Sequence, residues 1–91
     1  MSQSSNAYTT RIQSVAKSDT LCLIRSKDYT GFMAYYFLRV DPLKLTLFEK
    51  VADSGQAFDL ETYGEIIASG YGEEVPAPVL DKMRQLYGWN G

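Results

Sequence analysis

The 91-residue sequence contains no histidine and one cysteine, Cys22. The absence of histidine removes the commonest general base, the commonest transition-metal ligand and the side chain that titrates near neutral pH. A single cysteine can form neither an intramolecular disulfide nor a multi-cysteine zinc site. Because no histidine can act as its base, we expect Cys22 to be a buried structural thiol, and we expect no enzymatic activity, no metal and no cofactor.

Long apolar runs and an excess of basic residues are also missing. No window approaches the roughly 18 consecutive apolar residues of a membrane-spanning helix. Nine basic residues against eleven acidic ones give a net charge of −2, whereas nucleic-acid-binding proteins usually carry a basic excess. We therefore expect neither membrane nor nucleic-acid binding. The start of the chain has no apolar signal segment, which favours a cytoplasmic location.

The composition provides enough apolar residues for one folded domain. Apolar residues make up 45% of the chain and charged residues 22%, as in ordinary globular proteins. The polar start, MSQSSNA, predicts a disordered leader over residues 1–7. Residues 8–91 are then expected to form a single domain.

Three segments in the first half of the chain have strand character. Residues 8–15, 20–25 and 32–40 are rich in the β-branched and aromatic residues that favour strands. The polar connector that ends at Gly31 predicts a hairpin between the second and third segments. Consecutive strands with short connections predict an antiparallel meander.

The second half is predicted to be helical. Asp41-Pro42 is typical of a helix start, and apolar residues follow it at helical spacing. A second helix is predicted over 59–69 and a third over 78–87, each followed by a glycine. Strands followed by helices predict an α+β fold, with three short helices packed on one face of a small three-stranded antiparallel sheet.

One hydrophobic core would follow from this arrangement. Its predicted members are Phe32, Tyr36, Leu38, Leu43, Leu47, Phe48, Val51, Leu60, Ile67, Met83 and Leu86. If Leu47 lies in that core, Leu47→Ala is expected to cost on the order of 2–5 kcal/mol.

The third predicted strand is apolar on its second face as well, where it carries Met33, Tyr35 and Phe37. A sheet that is apolar on both faces needs cover on both. The cover could come from the N-terminal segment or the third helix, from a ligand, or from a second subunit. The self-associated form would place Tyr35 and Phe37 at the centre of a homodimer interface and Arg39 at its rim.

Several aromatic side chains are not needed by the predicted core and indicate a recognition surface; they include Tyr29, Tyr71 and Trp89. Glu73 and Glu74 follow Tyr71 in the acidic second half, where residues 51–91 carry seven acidic and two basic residues. This acidity is typical of a solvated face, and it also suits a basic partner or the basic half of a second copy.

The residue types in the sequence favour an interaction protein over an enzyme. The sequence predicts a non-catalytic protein–protein interaction or regulatory module that forms a homodimer and could bind another protein. The alternative is a small-molecule-binding regulatory domain with an aromatic-lined pocket. The candidate interaction residues are Tyr29, Met33, Tyr35, Phe37, Arg39, Tyr71, Glu73, Glu74 and Trp89.

Overall fold

The computed structural model describes residues 9–27 and 30–90, and within them the chain forms an antiparallel sheet with one α-helix on each face. The predicted leader and Tyr29 lie outside the described residues. The elements are β1 (Thr9–Ser18), β2 (Leu21–Lys27), β3 (Met33–Val40), α1 (Leu45–Ser54), β4 (Phe58–Asp59), β5 (Gly64–Tyr71) and α2 (Ala77–Tyr87). The strand order is β4-β1-β2-β3-β5. The predicted α+β class and the meander of the first three strands are confirmed, but the sheet has five strands rather than the predicted three, because β4 and β5 pair at its two edges.

The segment predicted as a second helix, residues 59–69, mostly forms strand β5 instead. Asp59 does cap a turn, since its carboxylate accepts a hydrogen bond from the Glu61 amide at 3.0 Å, but this turn is a short 3-10 helix. The residues beyond it favour a strand, because Ile66 and Ile67 are β-branched and glycine is costly within a helix. Pairing with β3 then satisfies the backbone groups of β5 that face β3. The described residues therefore contain two α-helices rather than three.

The two helices cover opposite faces of the sheet, so the single predicted core is wrong. The core beneath α1 contains Ile12, Cys22, Ile24, Leu38, Val40, Phe48, Phe58 and Leu60. The core beneath α2 contains Leu21, Leu23, Tyr35, Phe37, Val75, Met83 and Trp89. Both cores share strands β2 and β3, which alternate apolar residues between the two faces. The third predicted helix thus covers the second face from within the chain.

Four residues assigned to the predicted core are exposed in the structure: Phe32, Leu43, Leu47 and Leu86. The first helix explains two of them. Residues Pro42–Lys44 form a 3-10 turn, and the α-helix begins only at Leu45. This shift in phase turns Leu45 and Phe48 toward the sheet and leaves Leu43 and Leu47 in solvent.

Truncation of Phe48 is therefore expected to destabilise the fold far more than truncation of its neighbour. Phe48 is fully buried, and its ring centroid lies 5.7 Å from that of Phe58 and 5.8 Å from that of Tyr63. Phe48→Ala should lower the free energy of unfolding by about 3–5 kcal/mol. Leu47→Ala, at a side chain 56% exposed, should cost less than about 1 kcal/mol.

Urea denaturation followed by circular dichroism measures both values. Similar losses in the two variants would show that the face of α1 is wrongly assigned.

Candidate functional site

Three of the predicted interaction residues lie inside the folded chain. Tyr35, Phe37 and Trp89 are buried beneath α2, and the Trp89 ring packs edge-on against Phe37 with centroids 5.5 Å apart. The interface predicted around Tyr35 and Phe37 is therefore part of a hydrophobic core and is not accessible to a partner. The premise of the predicted interface, an uncovered second face of β3, fails because α2 covers that face.

Arg39 is engaged within the chain. Its Nη1 atom lies 3.3 Å from Oε1 of Glu65 on β5, and its guanidinium lies 5.7 Å from the ring centroid of Tyr87. Both contacts are at the surface, where such pairs contribute little stability. They tie β3 to its neighbours, and they leave Arg39 outside the site described next.

Other predicted interaction residues come together at one end of the sheet. Met33, Tyr71 and Glu73 line an open concavity of about 740 Å³. The concavity, called the aromatic concavity below, is lined among the described residues by Thr30, Gly31, Phe32, Met33, Tyr71, Gly72 and Glu73. The concavity is wide and open to solvent, whereas small-molecule sites usually enclose most of their ligand.

Two glycines shape the segments that form this concavity. Gly31 has φ 96° and Gly72 has φ 129°, a region that side chains other than glycine rarely adopt. The Gly72 amide donates a hydrogen bond to the Met33 carbonyl at 3.0 Å. The loop before β3 and the segment after β5 are thereby held side by side.

Phe32 is the aromatic member of this site that sequence reasoning missed. It lies before the first residue of β3 and is 68% exposed, and Tyr71 at the end of β5 is 76% exposed. Its position directly after Gly31 could have indicated this exposure. A residue next to a turn need not point toward the core, even when the strand that follows has a buried face. Glu74 is exposed next to Glu73. Neither glutamate forms a salt bridge within the described residues.

A second candidate surface lies along β5, which is an edge strand. Within the described residues β5 pairs only with β3, so its outer backbone groups have no strand partner. An apolar groove, called the edge groove below, runs between β5 and α2. Its lining consists of Ile67, Ala68, Pro78, Val79, Lys82, Met83, Leu86 and Tyr87. The prediction of a helix over 59–69 concealed this surface.

Cys22 is buried in β2, as expected. Burial raises the pKa of its thiol to about 11, and the nearby positive charge of Lys17 opposes only part of this change. The thiol therefore stays protonated at neutral pH, a poor state for a nucleophile. The described part of the chain contains no cluster of three or more potential metal-ligating residues.

Comparisons with known proteins found no relative of this chain. No family model, no curated protein and no solved structure matches this chain. Among the described residues, no helix has the length and apolar character needed to span a membrane. The class of the protein is accordingly given by its fold: a small α+β domain whose antiparallel sheet lies between two helices.

Proposed function

We propose that the protein is a non-catalytic interaction module that forms a homodimer through the outer edge of β5 and the edge groove. The observation that carries the proposal is an eight-residue edge strand without lysine or proline, flanked by a mainly apolar groove in which Leu86 and Tyr87 are exposed. Lysine and proline are two of the devices by which natural edge strands avoid pairing with another chain. An edge that lacks them suits pairing with a second copy.

The sequence of β5 is complementary to itself in one antiparallel register. With the two-fold axis between Ile67 and Ala68, each of these residues lies opposite the other in the second copy. Both pack toward α2, as same-face pairing requires. Ile66, which packs toward α1, would oppose Ser69 of the second copy, a residue that pairs with the α1-side Tyr36.

The bulge in β5 makes this register possible. The pairing with β3 shifts between Phe37 and Leu38, which leaves Ile67 as an extra residue. Because of that residue, Ile67 and Ala68 both lie on the α2 side, and a register centred between them keeps the faces matched. The single charge of the strand, Glu65, would oppose Gly70 of the second copy, so no like charges meet.

The edge groove would supply the apolar part of the interface. Leu86 is 63% exposed at the end of α2, and Tyr87 beside it is partly exposed. Backbone pairing over eight residues contributes about six to eight hydrogen bonds, against about ten in a typical interface. Burial of the groove would add the apolar centre that stable interfaces require. The alternative function, binding of a small molecule, has less support because the aromatic concavity is open to solvent and would not enclose a ligand.

The test is the solution mass of the wild type and of two matched variants. Light scattering should give twice the 10.2 kDa of one chain at high micromolar concentration. Leu86→Glu should weaken association by about tenfold or more, since it places a charge in the apolar centre. Leu43→Glu changes a side chain that is 91% exposed on the α1 side and should leave the dimer intact.

Hydrogen exchange locates the interface independently. Backbone amides of residues 66–69 should exchange more slowly as the protein concentration rises, and this protection should vanish in Leu86→Glu. A wild type that keeps the mass of one chain contradicts the proposed dimer. Equal weakening by Leu43→Glu contradicts its placement at β5.

A further inference from the structure

We propose that the aromatic concavity binds a segment of another protein that carries an arginine or lysine next to an aliphatic residue. This surface lies at the end of the sheet formed by the start of β3 and the end of β5. It is separate from the edge groove, because the two surfaces have no described lining residue in common. The inference therefore stands whether or not the protein forms the dimer proposed above.

The apolar residues of the site lie outside both hydrophobic cores. Both faces of the sheet are covered from within the chain, by α1 and by α2. Phe32 and Tyr71 nevertheless remain largely exposed and line the same concavity as Met33. Aromatic and methionine side chains are enriched in the centres of protein interfaces. Their exposure together in one concavity indicates a site for an apolar side chain of a partner.

The negative charge of the site favours a basic partner. Glu73 lines the concavity and Glu74 follows it, and within the described residues neither carboxylate has an ion-pair partner. A guanidinium or ammonium group bound there would meet a carboxylate and the face of an aromatic ring together. Arginine fits this combination best, because its planar group stacks on rings and binds carboxylates through two hydrogen bonds. An acidic ligand or a phosphate group would be repelled.

The local backbone prepares the site for binding. The hydrogen bond between Gly72 and Met33 fixes the two segments that carry Phe32 and Tyr71. Tyr71 is also held in the ladder opposite Ala34. Little backbone ordering would then accompany binding, and a low ordering cost favours affinity.

The experiment uses a library of random twelve-residue peptides displayed on phage, selected against the immobilised full-length protein. Binding of the selected peptides is then measured by fluorescence anisotropy. We expect them to contain an arginine or lysine beside a leucine, isoleucine, valine or methionine. The double variant Phe32→Ser/Tyr71→Ser should lose about tenfold or more in affinity.

Two further variants separate the charge from the apolar contact. The double variant Glu73→Gln/Glu74→Gln should reduce affinity several-fold at low salt, and its affinity should depend less on salt than that of the wild type. The double variant Leu43→Ser/Leu47→Ser removes exposed apolar surface elsewhere and should bind as the wild type does. Leu86→Glu should also bind normally, which distinguishes this site from the dimer interface.

Four results would overturn the proposal. The first is a selection that yields no binding peptide. The second is a set of peptides that bind the Phe32→Ser/Tyr71→Ser variant as tightly as the wild type. The third is enrichment of peptides without basic residues. Peptides whose binding is lost only in Leu86→Glu would place recognition at the edge groove and would likewise contradict the inference.

Discussion

Phe37→Asp is expected to abolish the fold of the single chain. Phe37 is fully buried at the middle of β3, between Leu23 on β2 and Ala68 on β5. Its ring packs against Trp89 with centroids 5.5 Å apart. The substitution removes these contacts, which is worth about 3–5 kcal/mol, and adds a carboxylate that has no partner. Together these losses approach the roughly 5–15 kcal/mol that stabilises a typical domain.

Circular dichroism and urea denaturation measure this loss, and Phe32→Asp is the matched control. Phe32 is also an aromatic residue next to the same strand, but most of its side chain is in solvent. We expect Phe32→Asp to keep the wild-type spectrum and to unfold within about 1 kcal/mol of the wild type. A folded Phe37→Asp protein would show that α2 does not cover the second face of the sheet.

Gly64→Ala is expected to cost about 2–4 kcal/mol, because β5 begins in contact with the backbone of β3. A Cβ atom at Gly64 would lie 2.8 Å from the Cα atom of Val40 and closer still to the carbonyl oxygen of Arg39. Backbone atoms cannot move aside as a flexible side chain can. The ladder between β3 and β5 would have to open at Val40, next to the hydrogen bond from the Asp41 amide to the Tyr63 carbonyl.

The control for this substitution is Ser69→Ala in the same strand. Ser69 is exposed, and its replacement should change the free energy of unfolding by less than about 0.5 kcal/mol. Alanine has no conformational disadvantage relative to glycine in a strand, so a large loss in Gly64→Ala reports the close approach itself. Chemical denaturation measures both values, and a nearly neutral Gly64→Ala would contradict the observed register of β5.

Local chemistry in the sequence was sufficient for several elements. The first three strands were predicted from their β-branched and aromatic residues, and they occur with shifted ends. Asp41 accepts a hydrogen bond from the Leu43 amide at 3.0 Å, and Pro42 begins the turn. The last helix ends before Gly88, which adopts a left-handed conformation with φ 68°. These features depend on neighbouring residues, so the order of residues alone defines them.

The same reasoning from the sequence identified only part of the candidate site. Surplus aromatic and acidic residues identified Tyr71 and Glu73, and the apolar second face of the third predicted strand identified Met33. The structure places these three residues together. The same argument also selected Trp89, which is buried. Composition can show that aromatic residues exceed the needs of a core, but it cannot show which of them the core uses.

By itself the sequence determined the α+β class, the strand meander, the ends of the last helix and the absence of histidine chemistry. Only the tertiary structure decided that residues 64–71 form a strand, since local signals allow either state and the free edge of β3 supplies the hydrogen bonds that favour pairing. It also decided that α1 and α2 cover opposite faces. That choice depends on contacts between residues far apart in the chain: packing of α2 on β3 buries Phe37 and leaves Phe32 and Tyr71 in solvent.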